Sequence, residues 1–505
     1  MLTRNLPNAG KLVNSLRSAG YDNVSAICDI VDNSIDAESS LIKVDIFQNK
    51  DDINIIIADN GVGMDEKILE EALKLGSLTD RDSNSDLGKY GLGLVTASWS
   101  MCKNILVITQ KKKGEFLRNE IDIDIIQGKN DFVCDLGKAN TKEIELYKKY
   151  IDNGCGTLVL LSKCDRIQNK DINIFANNVK KAIGQTYRYF IDSGIRFFIQ
   201  GKEVEKIDPL MLNKPETEVY SDEKYEIFIK ERGVKESIKA KIVVLPDYPE
   251  KLARQEGIGM KSQGFYLVRN NREIAVGKTL DLWSRHPDYN RIRVELKFSG
   301  NIDQEMGVNF TKKEIAPIQP IVDKIREEIM GQVKSIKKRI VQAQPRNQED
   351  ELMHDSAETI IANQAKLLIT PQAEIERRGS PEKKADNKKQ IREAKKRIRE
   401  QFTRVHLSKK GMACKFLVRP MGEAGAIYEA EQEGKLVIIE WNSDHPFYKN
   451  FILANKNNQE IITATDLLIY SMATAELKTF TSDDNLDLLL SLKSIISANL
   501  RVLLS

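Results

Sequence analysis

No stretch of this chain approaches the roughly 18 uninterrupted apolar residues of a membrane span. Its opening, Met1-Leu2-Thr3-Arg4-Asn5-Leu6-Pro7, has no apolar core of signal-peptide length. A soluble, cytoplasmic protein with no membrane partner is therefore the expectation. Cysteine is sparse, and Cys28, Cys102, Cys134, Cys155, Cys164 and Cys414 are scattered without a close CxxC pair. That disfavours both a disulfide framework and a zinc site, and predicts reduced, mostly buried thiols. Net charge is nearly absent as well: at +3 over 505 residues no global field argues for nucleic acid, so any basic surface must be local. The phosphate-loop pattern GxxxxGK[ST] does not occur at the glycine-rich turns, which excludes a Walker-type NTPase.

The length exceeds one ordinary core and predicts several domains. From Val24 to Ala37 the apolar residues Val24, Ile27, Ile30, Val31 and Ile35 recur at helical spacing, with Asp22 or Asn23 as N-cap. Strands are expected at 41–47 and 53–58, helices at 66–75 and 92–102, and further strands near 105–109, 116–126 and 157–161. A second α+β region, 166–325, reads as a helix at 175–190 and strands at 195–199, 226–229, 239–244, 265–268 and 292–298. A long helical pattern over 318–343 leads into a charged helical linker, 326–400. The stretch 401–505 reads as a small C-terminal α/β domain with strands at 416–418 and 436–441 and helices from 465.

Three pieces of the first region carry chemistry. Asp29 and Asn33 lie four apart, so they share a helix face opposite the stripe centred on Val31. Between Arg17 and Lys43 there are five acids (Asp22, Asp29, Asp32, Asp36, Glu38) and no Lys or Arg, so nothing local neutralises them and a bound divalent cation would. Magnesium needs only one or two protein oxygens when phosphates and water supply the rest; the bland alternative is a solvated acidic face. Asp59 ends an apolar run and is followed by Gly61 and Gly63. It is placed to accept from an exocyclic amine such as adenine's while the glycines keep side chains out of the ring's way, unless Asn60-Gly61 merely closes a hairpin. Gly88, Gly91 and Gly93 precede a helix whose amide groups and dipole could receive phosphates.

In order and spacing, Asp29-Ile-Val-Asp-Asn33-Ser-Ile-Asp36-Ala37, Asp59-Asn-Gly-Val-Gly63-Met64, Gly88-Lys-Tyr-Gly91-Leu-Gly93 and Gly156-Thr157 together resemble the GHKL ATPases, the group of gyrase B, heat-shock chaperones, histidine kinases and MutL. The resemblance covers residues 1–165 strongly and implies an α+β chain: a Bergerat-fold α/β sandwich followed by a ribosomal-S5-like transducer domain. It implies ATP and magnesium as cofactors, Asn33 as metal ligand, Asp59 as adenine reader with Thr157 as its helper, and Met64 near the base. Asp36, Ala37, Gly61 and Gly63 complete the nucleotide contacts. Gly88, Lys89, Tyr90, Gly91, Leu92 and Gly93 would hold the phosphates, and the segment 77–90 would form the lid. One departure stands out: hydrolytic members usually carry Glu where this chain has Asp29, shorter by a methylene, so slow turnover is expected.

Further on, Gly307-Val-Asn-Phe-Thr-Lys312-Lys313 resembles the transducer loop that sends a lysine to the terminal phosphate, which implies Lys312 in catalysis with Lys313 as fallback. The segment Phe265-Tyr-Leu-Val-Arg269-Asn-Asn-Arg272-Glu-Ile274 looks like that of microrchidia (MORC) ATPases and their bacterial relatives. A histidine kinase is disfavoured, because His286, His354, His406 and His445 all lie far downstream of the ATP motifs; His445 reads as structural or capping. No acidic metal-binding endonuclease signature occurs near the C-terminus. The expected function is an ATP-gated dimeric clamp, homodimeric on ATP binding. Its expected cargo is DNA or a DNA-processing complex that includes a nuclease or other effector. Over Arg377 to Lys410 there are 14 basic and four acidic residues, the stretch through which DNA would be touched. Prokaryotic MORC-like proteins are often associated with antiphage gene sets, which makes defence the expected setting. The alternative is a chaperone-like remodelling ATPase without direct DNA binding.

Overall fold

Ile53, Ile55, Ile56, Ile57 and Ala58 leave almost no polar side to their strand, so it needs cover on both faces. The computed structural model describes residues 8–18, 20–49, 52–76, 87, 93–152, 154–229, 232–280, 282, 285–308, 315–342, 348–365, 367–368, 413–433, 436–479 and 486–504. The strand is β2 (Asp52–Asp59), near the middle of an eight-stranded mixed sheet in the order β5-β4-β3-β6-β2-β1-β7-β8. The others are β1 (Leu41–Asn49), β3 (Asn104–Gln110), β4 (Phe116–Asp122), β5 (Asp135–Lys138), β6 (Gly156–Cys164), β7 (Arg196–Ile199) and β8 (Lys202–Glu203). All neighbours run antiparallel except β1 and β7.

On one face Ile55 and Ile57 meet Ile27, Ile30 and Val31 of helix Asn23–Asp36 and Trp99 of helix Gly93–Met101. On the other, Ile56 and Ala58 pack with Tyr147 and Tyr150 of helix Thr141–Tyr150. Asp22 is the N-cap of the first of these helices, accepting from Ser25 N at 2.9 Å. The first core does not close at residue 165. Helix Ile172–Thr186 contributes Phe175, Val179 and Ile183 to it, and Phe197, Ile199 and Val204 complete it. Residue 165, the boundary expected from the sequence, lies between β6 and helix Ile172–Thr186, both of which belong to this core.

A five-stranded sheet follows in the order β12-β11-β13-β10-β9, built from β9 (Glu218–Ile229), β10 (Val234–Val244), β11 (Gly264–Arg269), β12 (Arg272–Lys278) and β13 (Ile292–Phe298). β9 starts well before the expected residue 226, because its first half is polar and exposed and is held by its ladder to β10. Asn270 and Asn271 both lie at positive φ, +46° and +65°, so β11 and β12 are joined by the tight two-residue turn that asparagine favours. The helical pattern over 318–343 is two helices, Gln319–Glu328 and Met330–Gln342.

The chain divides into two compact units: residues 1–246, 265–276 and 293–324, and residues 247–264, 277–292 and 325–505. The second unit holds a three-stranded sheet, β14 (Ala413–Arg419), β16 (Leu436–Asn442) and β15 (Tyr428–Glu433) in that order, with β14 parallel and β15 antiparallel to β16. Its core unites Phe416, Trp441 and Tyr448 with Ala357 and Ile361 of helix Asp355–Gln364 and Ile469 of helix Gln459–Thr479, so this core begins well before residue 401. His445 is structural, as expected: it is buried, its Nδ1 accepts from Phe447 N at 3.1 Å, and its Nε2 lies 3.0 Å from Ser497 O. A second buried histidine, His286, lies 3.2 Å from Asp288 on one side and 3.2 Å from Glu440 on the other. Arg419 pairs with the same two carboxylates, so the cluster is balanced by charge. Burial alone would lower the His286 pKa, and the two carboxylates outweigh it and push it up to about 9.

Candidate nucleotide site

The end of β2 carries the site. Asp59 is buried where β2 faces β6, opposite Thr157. Its Oδ2 accepts from Ser34 Oγ at 2.9 Å and its Oδ1 from Gly61 N at 2.9 Å. Burial pushes its carboxyl up to about 6, and the bonds from Gly61, Ser34 and Thr157 hold it from rising further. Thr157 Oγ1 lies 3.2 Å from Thr109 Oγ1, which accepts from Met64 N at 2.9 Å and donates to Gly156 O at 2.9 Å. Asp59, Thr157 and Met64 are thus tied into one polar cluster through Thr109, a residue that no sequence motif singled out.

Two glycines allow the chain to turn here. A Cβ on Gly61 would lie 2.6 Å from Ala37 O, and one on Gly63, at φ +66°, would lie 2.3 Å from Gln110 O. Ala37 ends helix Asn23–Asp36 and accepts from Val62 N at 3.0 Å, which brings the acidic helix to the turn. A cleft of about 280 Å³ opens beside this turn, lined by Lys43, Ala58, Asp59, Asn60 and Tyr150 among others.

On the helix, Asn33 donates its Nδ2 to the Asp29 carbonyl at 3.2 Å. With the nitrogen engaged, the acceptor left to the side chain is Oδ1, the atom type magnesium takes. The donor set fits a magnesium ion held largely by phosphate and water. Asp36 Oδ1 accepts from Leu87 N at 2.8 Å, and Leu87 O accepts from Arg269 Nη1 at 3.2 Å, so this buried residue is fastened at both ends of its peptide unit. Gly93 opens helix Gly93–Met101, and among the described residues nothing would obstruct a Cβ there. Gly88, Lys89, Tyr90, Gly91 and Leu92, the rest of the 77–90 lid (apart from Leu87), Lys312, Lys313 and the basic stretch 377–410 lie outside the described residues.

The acids of this helix do not lack a counter-charge. Arg272, the first residue of β12, donates from Nη2 to Asp29 Oδ1 at 2.8 Å and from Nε to Asp32 Oδ1 at 2.7 Å. Asp29 and Asp32 are 4% and 1% exposed, so this is a buried fork and not a solvated face. Tyr21 donates to Asp29 Oδ2 at 2.8 Å, and the Tyr187 hydroxyl lies 2.7 Å from Asp32 Oδ1. Burial opposes the charge on Arg272, but Asp32 and Asp29 more than offset it and hold the guanidinium firmly protonated. The expectation that a bound divalent cation would neutralise these acids is thereby corrected for Asp29 and Asp32. Their partner stands more than two hundred residues away in sequence, beyond the reach of a local count of charges.

A buried, clipped carboxylate beside a glycine turn, with an amide-bearing helix on one side, is the arrangement of a nucleotide-binding sandwich. The family profile described as Histidine kinase-, DNA gyrase B-, and HSP90-like ATPase matches residues 21–157, and this part of the chain is a GHKL-type ATPase domain. Among curated proteins, it is similar to Protein MICRORCHIDIA 6 of Arabidopsis thaliana, 26% identical over 103 residues. That match covers 19% of this chain and 15% of that protein. It is also similar to Protein MICRORCHIDIA 7 of the same plant, 27% identical over 92 residues, 17% of this chain and 13% of that protein. The matches span well under a fifth of either relative. Among the described residues, no helix is long and apolar enough to cross a membrane.

Proposed function

We propose that the chain binds ATP with magnesium and hydrolyses it slowly. The observation that carries this reading is Asp59: a buried carboxylate held by Ser34 and Gly61 at the mouth of a glycine turn, within an ATPase domain by sequence. In this reading Asp59 accepts from the adenine amine, Thr157 supports it, and Met64 flanks the base. Asn33 is assigned to the magnesium ion, which when bound would screen phosphate charge. Asp29 orients the attacking water. The Asp29→Asn protein is expected to keep ATP affinity and to lose hydrolysis, measured by calorimetry and phosphate release; wild-type turnover in that variant would remove Asp29 from the reaction.

The wider role we propose is a nucleotide-gated clamp, dimeric with ATP and acting on DNA or a DNA-processing complex. Its support is the similarity to microrchidia proteins and the net +10 of 14 basic against four acidic residues over Arg377 to Lys410. Retention of circular but not linear DNA with a nonhydrolysable ATP analogue is the expected result. Binding that ignores salt, or survives neutralising Lys395, Lys396 and Arg397 together, would argue instead for a protein cargo.

A further inference from the structure

We propose that Arg272 is a positioning residue for Asp29, so that hydrolysis depends on the β11–β12 hairpin being seated against the acidic helix. The inference rests on the reading of Asp29 as the group that orients water. The guanidinium spans two carboxylates, Asp32 through Nε and Asp29 through Nη2, while Tyr21 holds the other Asp29 oxygen. Contacts on both oxygens fix the carboxylate in place and in plane. The fork reaches from Asp32 one helical turn back along the chain to Asp29, the residue proposed to face the water.

The placement of Arg272 is itself rigid. The turn before it is tied down by Asn270, whose N donates to Phe298 O at 3.1 Å and whose Oδ1 accepts from Gly300 N at 3.0 Å. Arg269, at the end of β11, donates to Asp303 Oδ1 at 2.7 Å. Glu273, the next residue along β12, pairs with Arg188, which also donates to Glu295 at 2.6 Å. Arg272 is therefore held by its neighbours on both sides and cannot follow Asp29 if the helix moves. Asp is shorter by one methylene than the Glu usual among hydrolytic relatives, so the carboxylate has less reach of its own. Its position is set by the helix and by this arginine.

The test compares Arg272→Lys, Arg272→Met, Glu273→Gln and Asp29→Asn for ADP affinity and for steady-state hydrolysis. Arg272→Met should lower kcat by about 100-fold, the scale of a one-ångström misplacement, with ADP affinity nearly unchanged. Lysine keeps the charge but cannot bridge both carboxylates, so Arg272→Lys should fall between Met and wild type. Glu273→Gln loosens the same hairpin from Arg188 but leaves the fork to Asp29 in place, so kcat should fall by less than in Arg272→Lys. Wild-type kcat in Arg272→Lys overturns the proposal, and that variant carries the test alone if the Met variant does not fold. A loss in Glu273→Gln as deep as in Arg272→Met also overturns it, since general loosening would then explain both. If Asp29→Asn is fully active, the Asp29 reading fails and takes this inference with it; an inactive Asp29→Asn beside a fully active Arg272→Lys removes this inference alone.

Discussion

Asp59 sits where its charge is costly, and hydrogen bonds from Gly61, Ser34 and Thr157 favour its acceptor form. Its folded pKa of about 6 lies above the value near 4 of an unfolded aspartate. The protein without nucleotide therefore loses stability as pH rises from about 4 to about 6, by roughly 3 kcal/mol. Ligand binding runs the other way. A protonated Asp59 cannot accept from the adenine amine at both oxygens, so affinity should fall about tenfold for each pH unit below 6. Adenosine is the suitable probe, because it has no phosphate to titrate in that range, and Asp59→Asn should bind it weakly at every pH. Affinity that stays flat between pH 7 and 5 would separate Asp59 from the base.

At the scale of elements, the junction of helix Asn23–Asp36 with β2 depends on a backbone that admits no side chain. Gly63→Ala combines positive φ with a 2.3 Å clash against Gln110 O and should destabilise the first unit by about 1–3 kcal/mol, read as a drop in Tm. This junction was legible in the sequence, since the apolar run, Asp59 and the two glycines follow one another along the chain. The place of Thr157 opposite Asp59 was legible through the same family pattern. Thr109, Ser34 and Arg272 were not, because each acts through a partner brought near by sheet pairing or by the second sheet. Nor were β9 and helix Thr141–Tyr150: the first is polar along half its length, and the second buries only Tyr147 and Tyr150 on its sheet-facing side. A local count of charge or hydropathy reports what a segment contains, not what the fold lays across it.

At the scale of the whole molecule, the two units should respond differently to pH. His286 is held charged between Asp288 and Glu440, with Arg419 on the same carboxylates and Lys337 3.9 Å from Asp288. Its folded pKa of about 9 lies above the unfolded value near 6.5. The stability it contributes is complete below about pH 6.5 and is lost as pH rises through 9, on the order of 3 kcal/mol. Denaturant unfolding at pH 6, 8 and 10 should show this loss in the second unit, and His286→Asn should flatten it. A fragment ending at residue 165 tests the first unit. It lacks the helix and strand that complete the core, and it leaves Asp29 and Asp32 buried without Arg272, a defect of about 3–5 kcal/mol. Such a fragment should not unfold cooperatively by circular dichroism, whereas a chain ending at 324 keeps every segment of the first unit.

Between residues 246 and 325 the backbone passes from the first unit to the second and back twice before entering the second unit for good. Neither unit can therefore be copied, swapped or fused as an uninterrupted cassette. Joining the N-terminal domain to a different C-terminal half at any point in that span would sever a unit.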